Sequence, residues 1–314
     1  MAELAYLQVA RVCNQRCVFC SNPANGRVIT WKEAKSLVDG FAKKGFAGLI
    51  LTGGEPTLFK DLPRLVTYAL SKGLEPRLIT NGQKTADRGL LEELRAAGLR
   101  RLHVSVHSPS AEKQAAFSRN PRSLANISRT LDHAARLDLR VDVNTTINRR
   151  NAGELYALVR WLTRGWPQLR HFVWNNLDPL MNRASLDLSL VPRLRDFEVD
   201  LHLAMSFLDS TGRTFRVDRV PLCFMSDFPH RSTETRKIVK EEARSVYFLD
   251  QKGLQDQDRR HWTYGKSKRC STCGLDPVCA GLYQMDVYYS SNELCPSFLS
   301  PEEVRRRVVE DRDN

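Results

Sequence analysis

The chain contains no run of eighteen apolar residues, so its sequence predicts no membrane span. It opens "MAELAYLQVARV", without a basic segment leading into an apolar stretch, which argues against a secretory signal. The expected compartment is therefore the cytoplasm. Internal repeats and low-complexity tracts are lacking, and this excludes solenoid and fibrous designs. No dense basic run interleaved with aromatics occurs either, which weighs against a dedicated nucleic-acid stripe. Cysteine is absent from residue 21 to residue 222. Thiols stay reduced in a cytoplasm, so disulfides are not expected from the cysteines that do occur.

What is present is an ordinary soluble composition: 314 residues, 42% hydrophobic and 27% charged. That length suits one large domain plus a smaller one. Lys and Arg outnumber Asp and Glu by 48 to 36, giving a net charge of +12. The excess is compatible with an anionic partner, nucleic acid included, but it is spread along the chain as a basic surface would be. The eight cysteines are bunched at 13, 17 and 20, at 223, and at 270, 273, 279 and 295. Such bunching points to two metal sites at opposite ends of the chain.

Between residue 5 and about residue 180, short apolar runs alternate with amphipathic stretches. The runs are Tyr6–Arg11, Gly48–Thr52, Pro76–Thr80, Arg101–His107, Arg140–Thr146 and Arg170–Asn175. Most are continuously apolar, as parallel strands buried on both faces are. Thr30 with Glu33 forms a capping-box signal, Asp61 stands ready to cap "LPRLVTYALSKG", and Gly73 ends it. The predicted fold class is α/β, with six βα units and with ligands bound at the carboxyl ends of the strands. "TFRVDRVPLCFM" reads as one more strand, and "STETRKIVKEEAR" first as a solvated charged helix, alternatively as a lid or a docking face. A boundary at the "STG" turn near 212 divides residues 1–212 from a smaller, irregular unit at 213–314.

The stretch "VCNQRCVFC" follows the first strand directly and carries Cys13, Cys17 and Cys20. A structural zinc takes four protein ligands, and no histidine lies nearby to complete the set. An iron–sulfur cubane is the other thiolate-rich choice, and three thiolates leave one of its irons free.

This Cys-x3-Cys-x2-Cys spacing, with Phe19 before the last cysteine, resembles the signature of the radical SAM superfamily. The resemblance implies a partial (β/α)6 TIM-like barrel over roughly residues 6 to 180. It implies a [4Fe-4S] cluster on Cys13, Cys17 and Cys20 whose free iron binds S-adenosylmethionine. Reductive cleavage of that cofactor then yields a 5′-deoxyadenosyl radical for hydrogen abstraction. "LILTGGEPTLF" is similar to the family's cofactor-binding GGEP element and implicates Gly53, Gly54, Glu55 and Pro56. "RLITNGQ" resembles its TNG turn, with Thr80 and Asn81. By position, Ser105 and Asn144 are further cofactor contacts. An external electron donor such as flavodoxin or ferredoxin is implied as well.

The last cysteines, Cys270-x2-Cys273-x5-Cys279-x15-Cys295, form a complete set for zinc or for a cubane, and spacing alone does not choose. The spacing resembles part of the SPASM extension, which implies a second, auxiliary [4Fe-4S] cluster. A full SPASM domain has another cysteine where this chain has Tyr283, and an upstream pair where it has only Cys223. A shortened, twitch-like extension with one auxiliary cluster is the better match.

Cys223 is read either as a buried inert thiol, as a cluster ligand, or as a catalytic thiol near the substrate. His107 is the other catalytic candidate, against the bland reading of a strand-end histidine satisfied by a neighbour. Trp174 suits the barrel mouth or simple packing. The expected function is radical modification of a peptide or protein. RNA or a nucleotide-like molecule is the alternative substrate, and a non-catalytic iron–sulfur or zinc module is the rival class.

Overall fold

In the computed structural model, the described residues are 4–22, 24–225, 227–241, 244–249, 254–257 and 263–311. The alternating apolar runs become β1 (Leu4–Ala10), β2 (Gly48–Gly53), β3 (Glu75–Thr80), β4 (Arg101–Ser105), β5 (Arg140–Ile147) and β6 (His171–Asn176). Between them lie α1 (Trp31–Lys43), α2 (Leu62–Ser71), α3 (Arg88–Ala96), α4 (Ala111–Ser118), α5 (Ser123–Arg136) and α6 (Leu155–Gly165). Each strand pairs in parallel with the next, so the order across the sheet follows the chain.

Two strands extend this set. After α7 (Leu194–Ser210), β7 (Thr214–Asp218) adds in parallel to β6, so the sheet runs past residue 212. At the opposite edge β8 (Arg244–Tyr247) lies parallel to β1, and β9 (Leu254–Gln257) is antiparallel to β8. Eight parallel strands thus form a curled half-barrel of the TIM type. Loss of helical regularity in the sequence marked the 212 boundary, but backbone pairing continues beyond it.

Local signals hold in most places. Thr30 and Glu33 close the capping box: Thr30 Oγ1 accepts from Glu33 N at 3.2 Å, and Glu33 Oε2 accepts from Thr30 N at 2.8 Å. Asp61 occupies the N-cap of α2 but makes no capping hydrogen bond, so that helix starts on Pro63 in its first turn. Gly73, at φ +79°, ends it.

The charged stretch from Ser232 departs from its solvated reading. α8 (Thr233–Lys240) buries Glu234, Thr235 and Arg236. Glu234 Oε1 accepts from Arg219 N–H at 3.1 Å and from Tyr264 hydroxyl at 2.9 Å, while Arg236 pairs with Asp311 at 3.3 Å. Charges point inward here because each meets a buried partner.

The main core is lined by alternating strand residues such as Leu7, Leu49, Leu78, Val104 and Val143. Trp174 is 1% exposed and edge-on to Phe215, so packing claims it. A polar layer interrupts the core where His103, Asp142 and His171 meet across β4, β5 and β6. Leu222, Leu275, Val278, Val304 and Val308 build a second, small apolar nest, the last two from α9 (Pro301–Glu310). No helix among the described residues is long and apolar enough to cross a membrane.

Candidate cluster and cofactor site

The loop after β1 cannot pair along its length, so neighbouring backbone holds it. Arg11 N donates to Arg27 O on one side, and Ile29 N donates to Val9 O. Arg16 N and Val18 N donate to Ser118 O and Phe117 O at the end of α4. Ala184 N donates to Cys20 O from a 3-10 turn, Asn182–Ser185, that follows β6. Three elements far apart in sequence therefore clamp the cysteine loop at the carboxyl ends of the strands.

The GGEP segment packs on that same loop. A Cβ at Gly53 would overlap the Ala10 carbonyl oxygen, and one at Gly54 would overlap the Val12 carbonyl oxygen. Gly54 N instead donates to Ala10 O at 2.6 Å and Glu55 N to Val12 O at 2.9 Å. The backbone these glycines admit is the cysteine loop itself.

Glu55 is fully buried, and its carboxylate takes four donors. Oε1 accepts from Thr57 N, Thr57 Oγ1 and Thr80 Oγ1 at 3.2, 2.6 and 2.8 Å; Oε2 accepts from Asn81 N at 2.8 Å. Burial pushes its pKa up, and the donors pull it back. Glu55 and Thr80 thus tie the loops after β2 and β3 together, with Pro56 buried in the same turn.

Cys13, Cys17 and Cys20 are all free thiols, partly or fully open to the surface, and each lies within electrostatic reach of another. Cys13 Sγ accepts from Gln15 N at 3.4 Å and from Asn81 Nδ2 at 3.6 Å. Burial pushes the Cys17 thiol up to about 12, against the pull of the Arg183 guanidinium. A thiol raised this far is readily deprotonated only by a metal centre. Among the described residues, no three His, Cys, Asp or Glu side chains converge tightly enough for a single ion. Three thiols on one loop with N–H donors directed at sulfur fit a multi-iron cluster.

The remaining cofactor candidates are Ser105 and Asn144: Ser105 ends β4, and Asn144, its register partner, lies within β5, both half-buried. The Phe19 ring is buried edge-on against His107 and Phe117, at 4.6 and 5.9 Å, and anchors the cysteine loop to the barrel. His107 Nδ1 accepts from Thr146 N–H at 3.2 Å, and burial lowers its pKa to about 4. Its imidazole is therefore neutral, with the proton on Nε2.

Arg183 escaped the sequence reading. Its Nε donates to Cys17 O at 2.8 Å, and the neighbouring Asn182 side chain donates to Asn22 O. An isolated arginine in a loop carries no motif, so only tertiary contact reveals it.

At the other end of the chain, Cys279 Sγ accepts from Gly281 N at 3.3 Å, and Cys273 Sγ from Ser297 N at 3.3 Å. Both pack on the small apolar nest, while Cys223 and Cys270 pack on the main core. Cys223 comes from the loop after β7, faces the Cys295 backbone N–H and lies within electrostatic reach of Cys279. The structure therefore gathers Cys223 with the C-terminal thiols. Tyr283, standing where the longer cysteine pattern has another thiol, donates its hydroxyl to Asp178 Oδ1 at 3.0 Å.

A parallel half-barrel with a thiol trio at the carboxyl end of its first strand defines a class of cluster-binding enzymes. Residues 7–162 match the Radical SAM superfamily, and the chain belongs to it. It is 33% identical over 147 residues to an AdoMet-dependent heme synthase of Methanosarcina barkeri, covering 46% of this chain and 42% of that protein. It is 34% identical over 173 residues to a GTP 3′,8-cyclase of Tolumonas auensis, with 52% and 51% covered. A PqqA peptide cyclase of Bradyrhizobium diazoefficiens is 30% identical over 161 residues, with 49% and 41% covered. These alignments span about half or less of each relative's length.

Two solved structures share the fold over more of the chain. Streptococcus suis SuiB bound to its precursor peptide SuiA superposes with a TM-score of 0.65 at 12% identity, covering 90% of this chain and 71% of that one. Native anSMEcpe with bound AdoMet gives 0.64 at 13% identity, with 98% and 96% covered.

Proposed function

We propose that this chain uses S-adenosylmethionine and a [4Fe-4S] cluster to abstract hydrogen from a peptide or protein, with one auxiliary [4Fe-4S] cluster in its C-terminal part. The observation that carries the reading is the clamped trio of Cys13, Cys17 and Cys20 beside the GGEP and TNG loops. Cluster and cofactor together supply a carbon radical by reductive cleavage of the sulfonium.

The chain's own residues position and shield. Cys13, Cys17 and Cys20 would hold the cluster through their thiolates. Gly53 and Gly54 press the second loop onto the first, and Glu55 fixes the third loop through Asn81. Ser105 and Asn144, register partners on β4 and β5, would contribute polar contacts to the cofactor. Phe19 and His107 close the floor against water. The C-terminal cysteines would hold the auxiliary cluster, which would supply a site for electron transfer, and a flavodoxin or ferredoxin would be the external electron donor.

The peptide assignment is supported by likeness in fold to SuiB, solved with a peptide, and by the similarity to a peptide cyclase. A second reading, a nucleotide-like or other anionic small molecule, is favoured by the GTP cyclase and heme synthase relatives and by the +12 charge. The 213–262 stretch would help shape the substrate site, and its residues 226, 242–243, 250–253 and 258–262 lie outside the described residues.

The test is anaerobic turnover of the reduced protein with S-adenosylmethionine. Release of 5′-deoxyadenosine is expected, and its persistence after Ala replaces Cys13, Cys17 or Cys20 would overturn the trio's role. Mass shifts in candidate peptides support the first substrate reading. Turnover of nucleotides or tetrapyrroles alone transfers the assignment to the second.

A further inference from the structure

The thiol loop carries a charged rim besides its cysteines. Arg16 lies between Cys13 and Cys17, and its backbone N–H donates to Ser118 O at 3.1 Å. Val18 N donates to Phe117 O at 2.9 Å, so the loop lies directly against the end of α4. Arg119 follows at once, and Arg122 stands at the N-cap of α5. Gln83 Oε1 accepts from Asn120 Nδ2 at 2.9 Å and from Asn126 Nδ2 at 2.8 Å, which brings its neighbour Lys84 to the same turn. Arg16, Lys84, Arg119 and Arg122 are all exposed, as is Cys13.

The charge of this rim is of one sign. Residues 4–32 and 113–131, which supply the loop and the turn, contain no Asp or Glu. Lys113, in the first turn of α4, is paired away from the rim with Glu154. Asp87, near Lys84 in sequence, is engaged in capping α3 through Gly89 N at 2.9 Å. Local stability does not call for these cations. Arg119 adopts φ +54°, the left-handed region where glycine or asparagine costs less. Arg122 sets a cation at a helix N-terminus, against the macrodipole, and makes no side-chain capping bond. Two positions thus hold arginine where the backbone favours other residues, and both lie on the solvent face beside the thiol loop.

We propose that the rim of Arg16, Lys84, Arg119 and Arg122 is the docking surface for an acidic protein carrying a low-potential one-electron centre, which reduces the first cluster. The inference rests on the cluster reading of Cys13, Cys17 and Cys20. One electron passes from carrier to cluster; the carrier is oxidised by that electron, and no atom changes hands. Electron-transfer encounters are small, brief and steered by charge rather than held by large apolar contacts. Nucleic acid fits less well, since single strands are held by exposed stacking rings, and the nearby Phe19 and Phe117 are buried.

The test uses reconstituted full-length protein, as wild type and as the Arg119→Glu, Arg122→Glu double variant. Flavodoxin is the acidic carrier, and reduced methyl viologen is a small cationic reductant for comparison. Both side chains are exposed and a carboxylate suits the start of α5, so the variant should fold. At low salt the variant is expected to bind flavodoxin about tenfold more weakly, and flavodoxin hydroquinone should reduce it about tenfold more slowly. Viologen should reduce it no more slowly than wild type. At 1 M salt, where charges act only within about 3 Å, the two proteins should converge. Equal flavodoxin affinity and rate in both proteins overturn the proposal. So does equal slowing with viologen, which places the defect in the cluster. Loss of RNA binding in the variant with flavodoxin reduction intact overturns it too, assigning the rim to nucleic acid. Wild type that holds no iron and takes no electron from viologen overturns the cluster reading itself, which separates the two failures.

Discussion

Glu55 Oε2 accepts the Asn81 backbone N–H at 2.8 Å, joining the loop after the second strand to the loop after the third. The same carboxylate collects Thr57 and Thr80, so one buried side chain sets the relative position of two cofactor loops. Asn81 then reaches Cys13 Sγ at 3.6 Å and Asn14 Oδ1 at 2.7 Å. The carboxylate thus acts on the cluster loop through the loop it anchors.

Replacing Glu55 with Gln turns an amide NH2 toward groups that are all donors. A buried donor left unmatched costs roughly 1–3 kcal/mol. The expected outcome is about tenfold weaker S-adenosylmethionine binding and a lower melting temperature, with the first cluster's iron retained. Equilibrium binding beside an iron assay checks this. Unchanged affinity would show that the loop geometry does not depend on Glu55.

Gly54→Ala places a methyl group on the Val12 carbonyl oxygen, and backbone there has no room to move aside. The second loop must lift from the cysteine loop, breaking the bond from Glu55 N to Val12 O. Reconstituted Gly54→Ala is expected to hold fewer irons at the first site than wild type while keeping its far-UV dichroism. Wild-type iron content would contradict the contact.

Arg183→Gln removes a cation from beside the Cys17 backbone. Less positive charge near an anionic cluster disfavours adding an electron. The midpoint potential of the first cluster should move to more negative values by on the order of 30–60 mV, the equivalent of about 1 kcal/mol for one electron. Arg183→Lys should restore part of the shift. Redox titration followed by EPR measures it, and an unmoved potential refutes the role.

Stability should fall as the protein is acidified below about pH 6.5. Burial lowers both His103 and His171 to about 4, with Asp142 opposing and Arg101 assisting. Between the ordinary value near 6.5 and about 4, the unfolded chain binds these protons and the folded one does not. Each histidine then costs about 1.4 kcal/mol per pH unit across that interval. Urea midpoints at pH 7.5, 6 and 5 follow the trend, and His103→Asn should flatten it.

The parallel half-barrel was legible because its signal is repeated and local. Most strands from Gly48 to Asn175 appear as apolar runs, and each is found within a residue or two of its expected limits. The trio of cysteines was legible for the same reason, being close in sequence and at a strand end. The inward charges of α8 were not, since Glu234 looks solvated until Arg219 and Tyr264 arrive from elsewhere. Arg183 and the gathering of Cys223 with the C-terminal thiols were hidden likewise: both depend on segments brought together over long separations.

Periodicity, caps and the close spacing of Cys13, Cys17 and Cys20 follow from neighbours along the chain, and reading them required nothing else. Which backbone Gly53 and Gly54 must accommodate, what satisfies Glu55, and which thiol faces Cys295 were settled only once distant loops met at the same end of the barrel. Short-range geometry is written in adjacent residues, whereas the partners of a buried polar group are chosen by the whole fold.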